Sequence, residues 1–331
     1  MKSQFRSALA VASVLLLTAC SSTTETGANS NADGGSAEGT VNYGSFSTGT
    51  GARQVLVAED MGLFEDHGID LEITTLMSTS ALAQLVASGD ADIANLTYQP
   101  AFNAMAAGVE LRMLSGVQKL QDGMQTVYVK EDSGIESIED LRGKKIAVAS
   151  LGGYGESMVA EALETAGMTL DDVTMVEVSP PETTAAIQRG DVDAGHLTPP
   201  SRAAVEAEDG QGLEMLIDFN SIPSLEGMPQ GALVTSADYY EGHEDLIGNF
   251  MDAVDEAAQA LEEDPEQDTK YLAELGKFEP SIAENIVLET WVGGETTRED
   301  LQRVVDLMVE HGQLQEGSVD LDQFMGGEDA L

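Results

Sequence analysis

The chain repeats itself. Ala87-Ser88-Gly89-Asp90-Ala91-Asp92-Ile93-Ala94-Asn95-Leu96-Thr97 has a counterpart in Gln188-Arg189-Gly190-Asp191-Val192-Asp193-Ala194-Gly195-His196-Leu197-Thr198. Gly89 and Gly190 lie 101 positions apart, and each copy soon reaches a proline, Pro100 and Pro199. Ahead of each comes a strand-like run and then a helical one: 69–73 with 82–86, and 173–178 with 184–187. A Gly-Asp-X-Asp turn before a strand is common by itself. The longer match, flanked in the same way, reads as one unit used in two related lobes. The strand ends Thr97-Tyr98 and His196 to Thr198 would then face each other across a crevice. Ligands in open α/β sheets bind outside the carboxyl ends of strands.

Between these landmarks apolar periodicity alternates between two residues and 3.6. Residues 41–46 read as a strand, 55–61 as a helix, 69–73 as a strand, and 91–96 as a strand leading to a helix at 101–107. This alternation predicts three-layer α/β lobes with largely parallel sheets. Residues 126–130 read as a strand leaving the first lobe and 231–235 as a strand returning to it, two extended segments that would form a hinge. Helical patterns follow at 246–261, 271–275, 282–288 and 301–309. Trp291, the only tryptophan, reads as packing rather than ligand stacking.

One stretch stands out chemically: Ser150-Leu151-Gly152-Gly153-Tyr154-Gly155-Glu156-Ser157. It follows the apolar run 145–149 and precedes a helical pattern through Met158, Val159, Ala162 and Leu163. Free N–H groups and the positive end of the helix dipole sit at such a turn and favour an anion or polar head group. No Gly-Lys-Ser/Thr follows, so it is not a P-loop, nor is it a full dinucleotide fingerprint. Taken alone, a tight βα turn that binds nothing would read the same way.

Charge and cysteine usage exclude several classes. With 15 Lys+Arg against 59 Asp+Glu the net charge is −44. Such a surface repels nucleic acid and anionic lipid, and suits a high-salt milieu that screens self-repulsion. Hydrophobic content of 42% with regular periodicity argues against an acidic disordered chain. Cys20 is the only cysteine, so no internal disulfide or multi-cysteine metal site can form. The histidines His67, His196, His243 and His311 lack HxxxH or HExxH spacing, and neither metal nor cofactor is expected. Residues 1–20 read as a processing segment, with Lys2 and Arg6 before an apolar run from Ala8 to Leu17. It closes on Leu17-Thr18-Ala19-Cys20, which looks like a bacterial lipobox. Residues 21–39 are small and polar, as in a flexible tether. The expected layout is then 40–127 for the first lobe, 128–230 for the second, and 231–331 for the return and C-terminal helices.

A family becomes visible in four places: Ala58-Glu59-Asp60-Met61-Gly62-Leu63-Phe64 through His67-Gly68-Ile69; Ser88-Gly89-Asp90-Ala91-Asp92; Leu141-Arg142-Gly143-Lys144-Lys145-Ile146-Ala147-Val148; and Gly190-Asp191-Val192-Asp193-Ala194. Over about residues 41–325, tail Val319-Asp320-Leu321-Asp322 included, the chain resembles the ABC-importer solute-binding proteins of the SsuA/THI5-like (NMT1-like) group. This resemblance implies a two-lobed periplasmic-binding-protein fold of the Venus-flytrap kind (type II) with two hinge strands. It implies a monomer that performs no catalysis, delivers solute to a membrane permease driven by a separate ATPase, and is held outside the membrane by a lipid on Cys20. The ligand would be of the sulfonate, nitrate or taurine class, or else a thiamine-precursor pyrimidine. An enzyme of pyrimidine synthesis or a ligand-sensing lipoprotein are the competing classes; the cysteine-rich motif of the former is absent.

Carried onto this chain, the pocket walls would be Ser45, Phe46, Ser47 and Thr48 with Thr97, Tyr98 and Gln99; Gln118 and Lys119; Ser150 and Gly152 to Ser157; and His196 and Thr198. Met228 would add to them. Backbone N–H groups at Gly153, Tyr154, Gly155, Glu156 and Ser157 would hold an oxyanion or carbonyl, with hydroxyls from Thr48, Thr97 and Thr198. Tyr98 or Tyr154 would pack on the ligand's apolar part. Glu156 departs from the sulfonate-binding pattern and would favour a zwitterion or ring N–H. His196 reads equally as a pocket donor or a satisfied strand-end histidine. Arg53, near the first-lobe mouth, reads as a solvated helix-start residue.

Overall fold

The computed structural model describes residues 39–46, 51, 53–76, 78–287 and 291–326. The expected processing segment, Cys20, residues 21–38 of the tether, Ser47 and Thr48 lie outside the described residues. The first half runs β1 (Gly39–Phe46), α1 (Arg53–Asp60), α2 (Leu63–Asp66), β2 (Ile69–Leu76), α3 (Thr79–Ser88), β3 (Ile93–Thr97), α4 (Tyr98–Ala106), β4 (Leu111–Lys119). The second half opens with β5 (Thr126–Lys130) and repeats the plan: β6 (Lys145–Val148), α5 (Tyr154–Thr165), β7 (Thr174–Glu177), α6 (Pro180–Arg189), β8 (Ala194–Leu197), α7 (Pro199–Ala207), β9 (Leu213–Asp218). The chain returns as β10 (Pro229–Ser236). It ends in helices α8 (Ala237–Tyr240), α9 (Glu244–Glu263), α10 (Pro265–Leu275), α11 (Pro280–Ala283), α12 (Arg298–Glu310) and α13 (Leu321–Met325).

Two five-stranded sheets result, β2-β1-β3-β10-β4 and β7-β6-β8-β5-β9. In the first, β1 lies parallel to β2 and β3, while β10 runs antiparallel to β3 and β4. In the second, β6 lies parallel to β7 and β8, while β5 runs antiparallel to β8 and β9. Each sheet is thus parallel save for one strand. That strand is the one the chain enters just after crossing from the other half.

The repeat is visible in the register. Tyr43 and Gly44 lie beside Ile93 and Ala94, and Ile146 and Ala147 beside Ala194 and Gly195. Ile93 and Ala194 are again 101 positions apart. The second aspartate of each Gly-Asp-X-Asp explains why the motif recurs. Asp92 N–H donates to Asn42 O at 2.8 Å, and its carboxylate accepts from Asn42 N–H at 2.8 Å. Asp193 N–H donates to Lys145 O at 2.9 Å, and its carboxylate accepts from Lys145 N–H at 2.8 Å. Each aspartate satisfies the backbone groups just before its own strand joins the neighbour: Asn42, ahead of the Tyr43–Ile93 pair, and Lys145, ahead of the Ile146–Ala194 pair. Gly89 and Gly190 both sit at φ 76, ending α3 and α6 in a left-handed turn that glycine adopts without strain.

The hinge differs from the expected one. Strands β5 and β10 lie inside the sheets, and the crossings are residues 120–125 and 219–228. The two run side by side: Leu120 N–H donates to Met228 O at 2.8 Å and Phe219 N–H to Gln125 O at 3.1 Å. Strands β4 and β9 are not among the elements expected from the sequence. β4 shows the reason, since its pairing with β10 shifts register three times and its buried positions do not alternate.

Two large apolar clusters make up most of the core. A cluster runs from Leu82 and Phe102 through Met124 and Leu225 to Ile146 and Val159. A second one packs α9 onto β1 and α2, with the Phe250 and Phe64 rings stacked at 5.0 Å. Trp291 packs against this second cluster, and its Nε1–H donates to Asp255 at 3.1 Å.

Candidate functional site

The turn between β6 and α5 is the most distinctive local structure. Gly152 takes φ 68, a conformation that favours glycine. Gly153 is the N-cap of the 12-residue α5, and no side chain caps it. The N–H groups of the first turn and the positive helix end are therefore presented by glycine-flanked backbone. Successive residues of this turn point in directions about 100° apart. Gly155 faces His196: a Cβ there would sit 2.7 Å from its Nδ1. Glu156 lines a cavity of about 250 Å³ shared with Asn103, His311 and Gln313. Tyr154 presents its hydroxyl oxygen to Gln230 Nε2–H at 2.6 Å, and burial pushes the phenol pKa up.

His196 closes β8. It is 8% exposed, and its Nε2 lies 2.7 Å from Gln125 Oε1 on the crossing segment. Its ring meets Phe219 edge-on at 5.7 Å. Burial pushes the imidazole pKa down to about 4, so the ring is neutral at pH 7. Its Nδ1 is buried without a hydrogen-bond partner. Thr198, the next residue but one, is the N-cap of α7, and its hydroxyl makes no capping bond.

On the first lobe, Thr97 ends β3 with an exposed side chain and no capping bond to α4. Gln99 reaches across to the second lobe, where its Nε2–H meets Gly152 O at 3.5 Å. Gln118 has a buried Oε1 without a partner. Ser45 and Phe46 border a different cavity, about 350 Å³, walled by Leu56, Ile73 and Lys277. Ser150 is exposed, and Ser157 is buried with its Oγ 3.5 Å from Gly153 O.

Several expected wall residues have other employment. Tyr98 is 2% exposed and packs on Phe102 at 5.6 Å and Phe324 at 6.4 Å, so its ring belongs to the core. Met228 is likewise 2% exposed, inside the same core. Lys119 is paired with Asp300 at 3.0 Å. Arg53 is not solvated: it is 6% exposed and holds Asp268 of α10 with two bonds of 2.7 and 2.6 Å. Sequence reasoning passed over Gln125, which meets His196 near the end of β8, and Gln230 and Gln313, which meet Tyr154 and Gly153 of the turn. Nothing in their local pattern marks them.

The arrangement can hold a small polar solute by backbone N–H groups, hydroxyls and amides. Among the described residues no group of three or more His, Cys, Asp or Glu is placed to hold a metal ion, and no helix is long and apolar enough to cross a membrane.

Comparison with known proteins agrees with this architecture. The taurine-binding periplasmic protein of Escherichia coli K12 is 28% identical over 218 residues, 66% of this chain and 66% of that protein. The solved aliphatic sulphonate binding protein SsuA of Escherichia coli superposes with a TM-score of 0.74 at 21% identity, covering 86% of this chain and 91% of that one. The alkanesulfonate-binding protein SsuA of Xanthomonas axonopodis pv. citri, solved bound to MOPS, gives 0.70 at 22% identity, covering 85% and 96%. The family model described as NMT1/THI5 like matches residues 50–268, and with its two lobes joined by paired crossings the chain belongs to that family of periplasmic-type binding proteins.

Proposed function

We propose that the protein is the extracytoplasmic receptor of an ABC importer for a small organic oxyanion of the sulfonate or taurine class. One observation carries the reading: the uncapped, glycine-flanked start of α5 lies within hydrogen-bond reach of Gln99, two residues from the exposed end of β3 on the other lobe. A sulfonate there would accept from N–H groups of Gly153 to Gly155, with Thr97 and Thr198 supplying hydroxyls. Glu156 lines the cavity beside Gly152 and His311 while Gly155 turns to His196, so its carboxylate favours a zwitterion such as taurine, whose ammonium it can meet. The names of the relatives, taurine- and sulfonate-binding proteins, support the same class.

The remainder of the reading rests on the lipobox-like Leu17-Thr18-Ala19-Cys20 and on the family resemblance. Cys20 carries the lipid that holds the receptor outside the membrane, the receptor acts as a monomer, and a permease with its ATPase receives the solute. The net charge of −44 suits a salty exterior. Thermal-shift assays in high salt against taurine, alkanesulfonates, nitrate and hydroxymethylpyrimidine test the class. A ligand specific for the folded state adds about 2.7 kcal/mol at a hundredfold excess over its Kd. A shift with taurine or an alkanesulfonate is expected. A shift with the pyrimidine alone would replace this ligand class, and no shift with any of the four would remove both.

A further inference from the structure

Gln99 and Gln313 meet at one place. Gln99 Nε2–H donates to Gln313 Oε1 and also reaches Gly152 O at 3.5 Å. Gln313 Nε2–H reaches Gly153 O at 3.5 Å. Three remote segments are tied here: the start of α4, the loop after α12, and the glycine turn of the second lobe. The loop after α12 belongs to the first lobe, since α12 packs on α4 and β10. The contact therefore bridges the lobes. A second bridge lies beside it, His311 Nε2 to Glu161 Oε1 at 3.1 Å, with Ser224 Oγ–H donating to the other carboxylate oxygen.

The carbonyls that receive the glutamine amides matter. Gly152 C=O shares a peptide plane with Gly153 N–H, and Gly153 C=O with Tyr154 N–H. Those N–H groups are the ones proposed to hold the oxyanion. A donor on the carbonyl fixes the plane and polarises the N–H opposite it. The Gly153 carbonyl also accepts from the N–H groups of Glu156 and Ser157 at 3.0 and 3.2 Å, so Gln313 adds a donor to a plane the helix start already holds, while Gln99 is the donor that meets the Gly152 carbonyl. At 3.5 Å both contacts to carbonyls lie beyond the ordinary N–H···O distance of about 3 Å, and the 250 Å³ cavity alongside leaves room for them to shorten.

We infer that Gln99 and Gln313 are positioning residues: a clasp that orients the peptides of the glycine turn and tightens when solute draws the lobes together. The inference rests on the reading of the α5 start as the solute site. Neither glutamine needs to touch the solute.

Hydrogen exchange of the Glu156 and Ser157 amides, which donate to Gly153 O, tests it in the whole protein, with and without taurine or ethanesulfonate. Gln313→Met keeps bulk and removes the bonds; Gln313→Glu keeps shape but turns the donor into an acceptor facing carbonyls. Exchange about tenfold faster than wild type is expected for Gln313→Met, an opening easier by a factor that local stability sets. Gln313→Glu should be faster still, and Gln99→Met should match Gln313→Met. Whichever probe binds should protect these amides further in wild type and less in the variants, with about tenfold weaker affinity. Unchanged exchange in Gln313→Met and Gln313→Glu would overturn the clasp, because space-filling alone would survive both. If Gln313→Met also frees the α9 amides, the fold has loosened and Gln99→Met decides. If neither probe binds wild type, the solute reading fails, while exchange in the ligand-free protein still decides the clasp.

Discussion

The two halves of the molecule share their scaffold and differ at their strand–helix turns. Both close a helix with a left-handed glycine, Gly89 and Gly190, and both tie a neighbouring strand's backbone to an aspartate, Asp92 and Asp193. The turns after the first strand of each unit part company. In the first lobe α1 begins at Arg53, locked in a buried pair with Asp268 from a C-terminal helix. In the second lobe α5 begins at glycine, with no capping side chain. What recurs holds the βαβ frame; what differs is whether side chains engage the helix start, as at Arg53, or leave it uncapped, as at Gly153.

The sharpest way to break this contrast is to release the tied end. Arg53→Met should cost about 3–5 kcal/mol, since it strands a buried carboxylate. Adding Asp268→Leu should recover most of that loss, and denaturant unfolding of the two variants measures both. Loss below about 1 kcal/mol for Arg53→Met would mean that the first-lobe turn is not held by this pair.

Next in size is His196, at the end of β8. Its native pKa of about 4 lies below the ordinary histidine value of 6.5, so the unfolded chain binds more protons between these values. Stability from this group is full above pH 6.5 and falls as pH drops toward 4, by roughly 3 kcal/mol in all. The carboxylates titrate nearby, so the measurement is a difference: wild type minus His196→Asn across pH 4 to 7. A flat difference would show that the ring charges freely in the folded state.

Asp92→Ala and Asp193→Ala probe the shared frame. Each leaves a strand N–H, of Asn42 or of Lys145, without its charged acceptor, and each should cost about 2 kcal/mol. Similar losses in both would support equivalence of the two units; a loss at one alone would break it. The smallest effect belongs to the turn itself. Gly152→Ala meets no atom within 4 Å but must adopt φ 68, a strain of about 1 kcal/mol. Because the strain loosens the turn that α5 presents, solute affinity should fall with it.

Much of this was legible in the sequence, and the gaps share one cause. The duplicated Gly-Asp-X-Asp and the glycine turn announce themselves locally, and the lobes follow from them. Arg53 reads as a solvated residue because its partner lies 215 positions away. Tyr98 reads as a pocket wall because its neighbour Thr97 ends a strand, yet Phe324 from the last described helix claims its ring. Gln313 sits in a plain loop, and only the return of the chain brings it to Gly153. Strand β4 hides because its bulges break the alternation that marks other strands. Local signals identified the elements; contacts distant in sequence assigned their side chains.

The most direct test is calorimetric titration of the purified protein in high salt with taurine, ethanesulfonate and nitrate. Saturable binding of taurine or ethanesulfonate at one solute per chain, weakened by Gly152→Ala, is the expected result. Saturable binding that Gly152→Ala leaves untouched would place the solute elsewhere, and no heat from any of the three would contradict the oxyanion site at the start of α5.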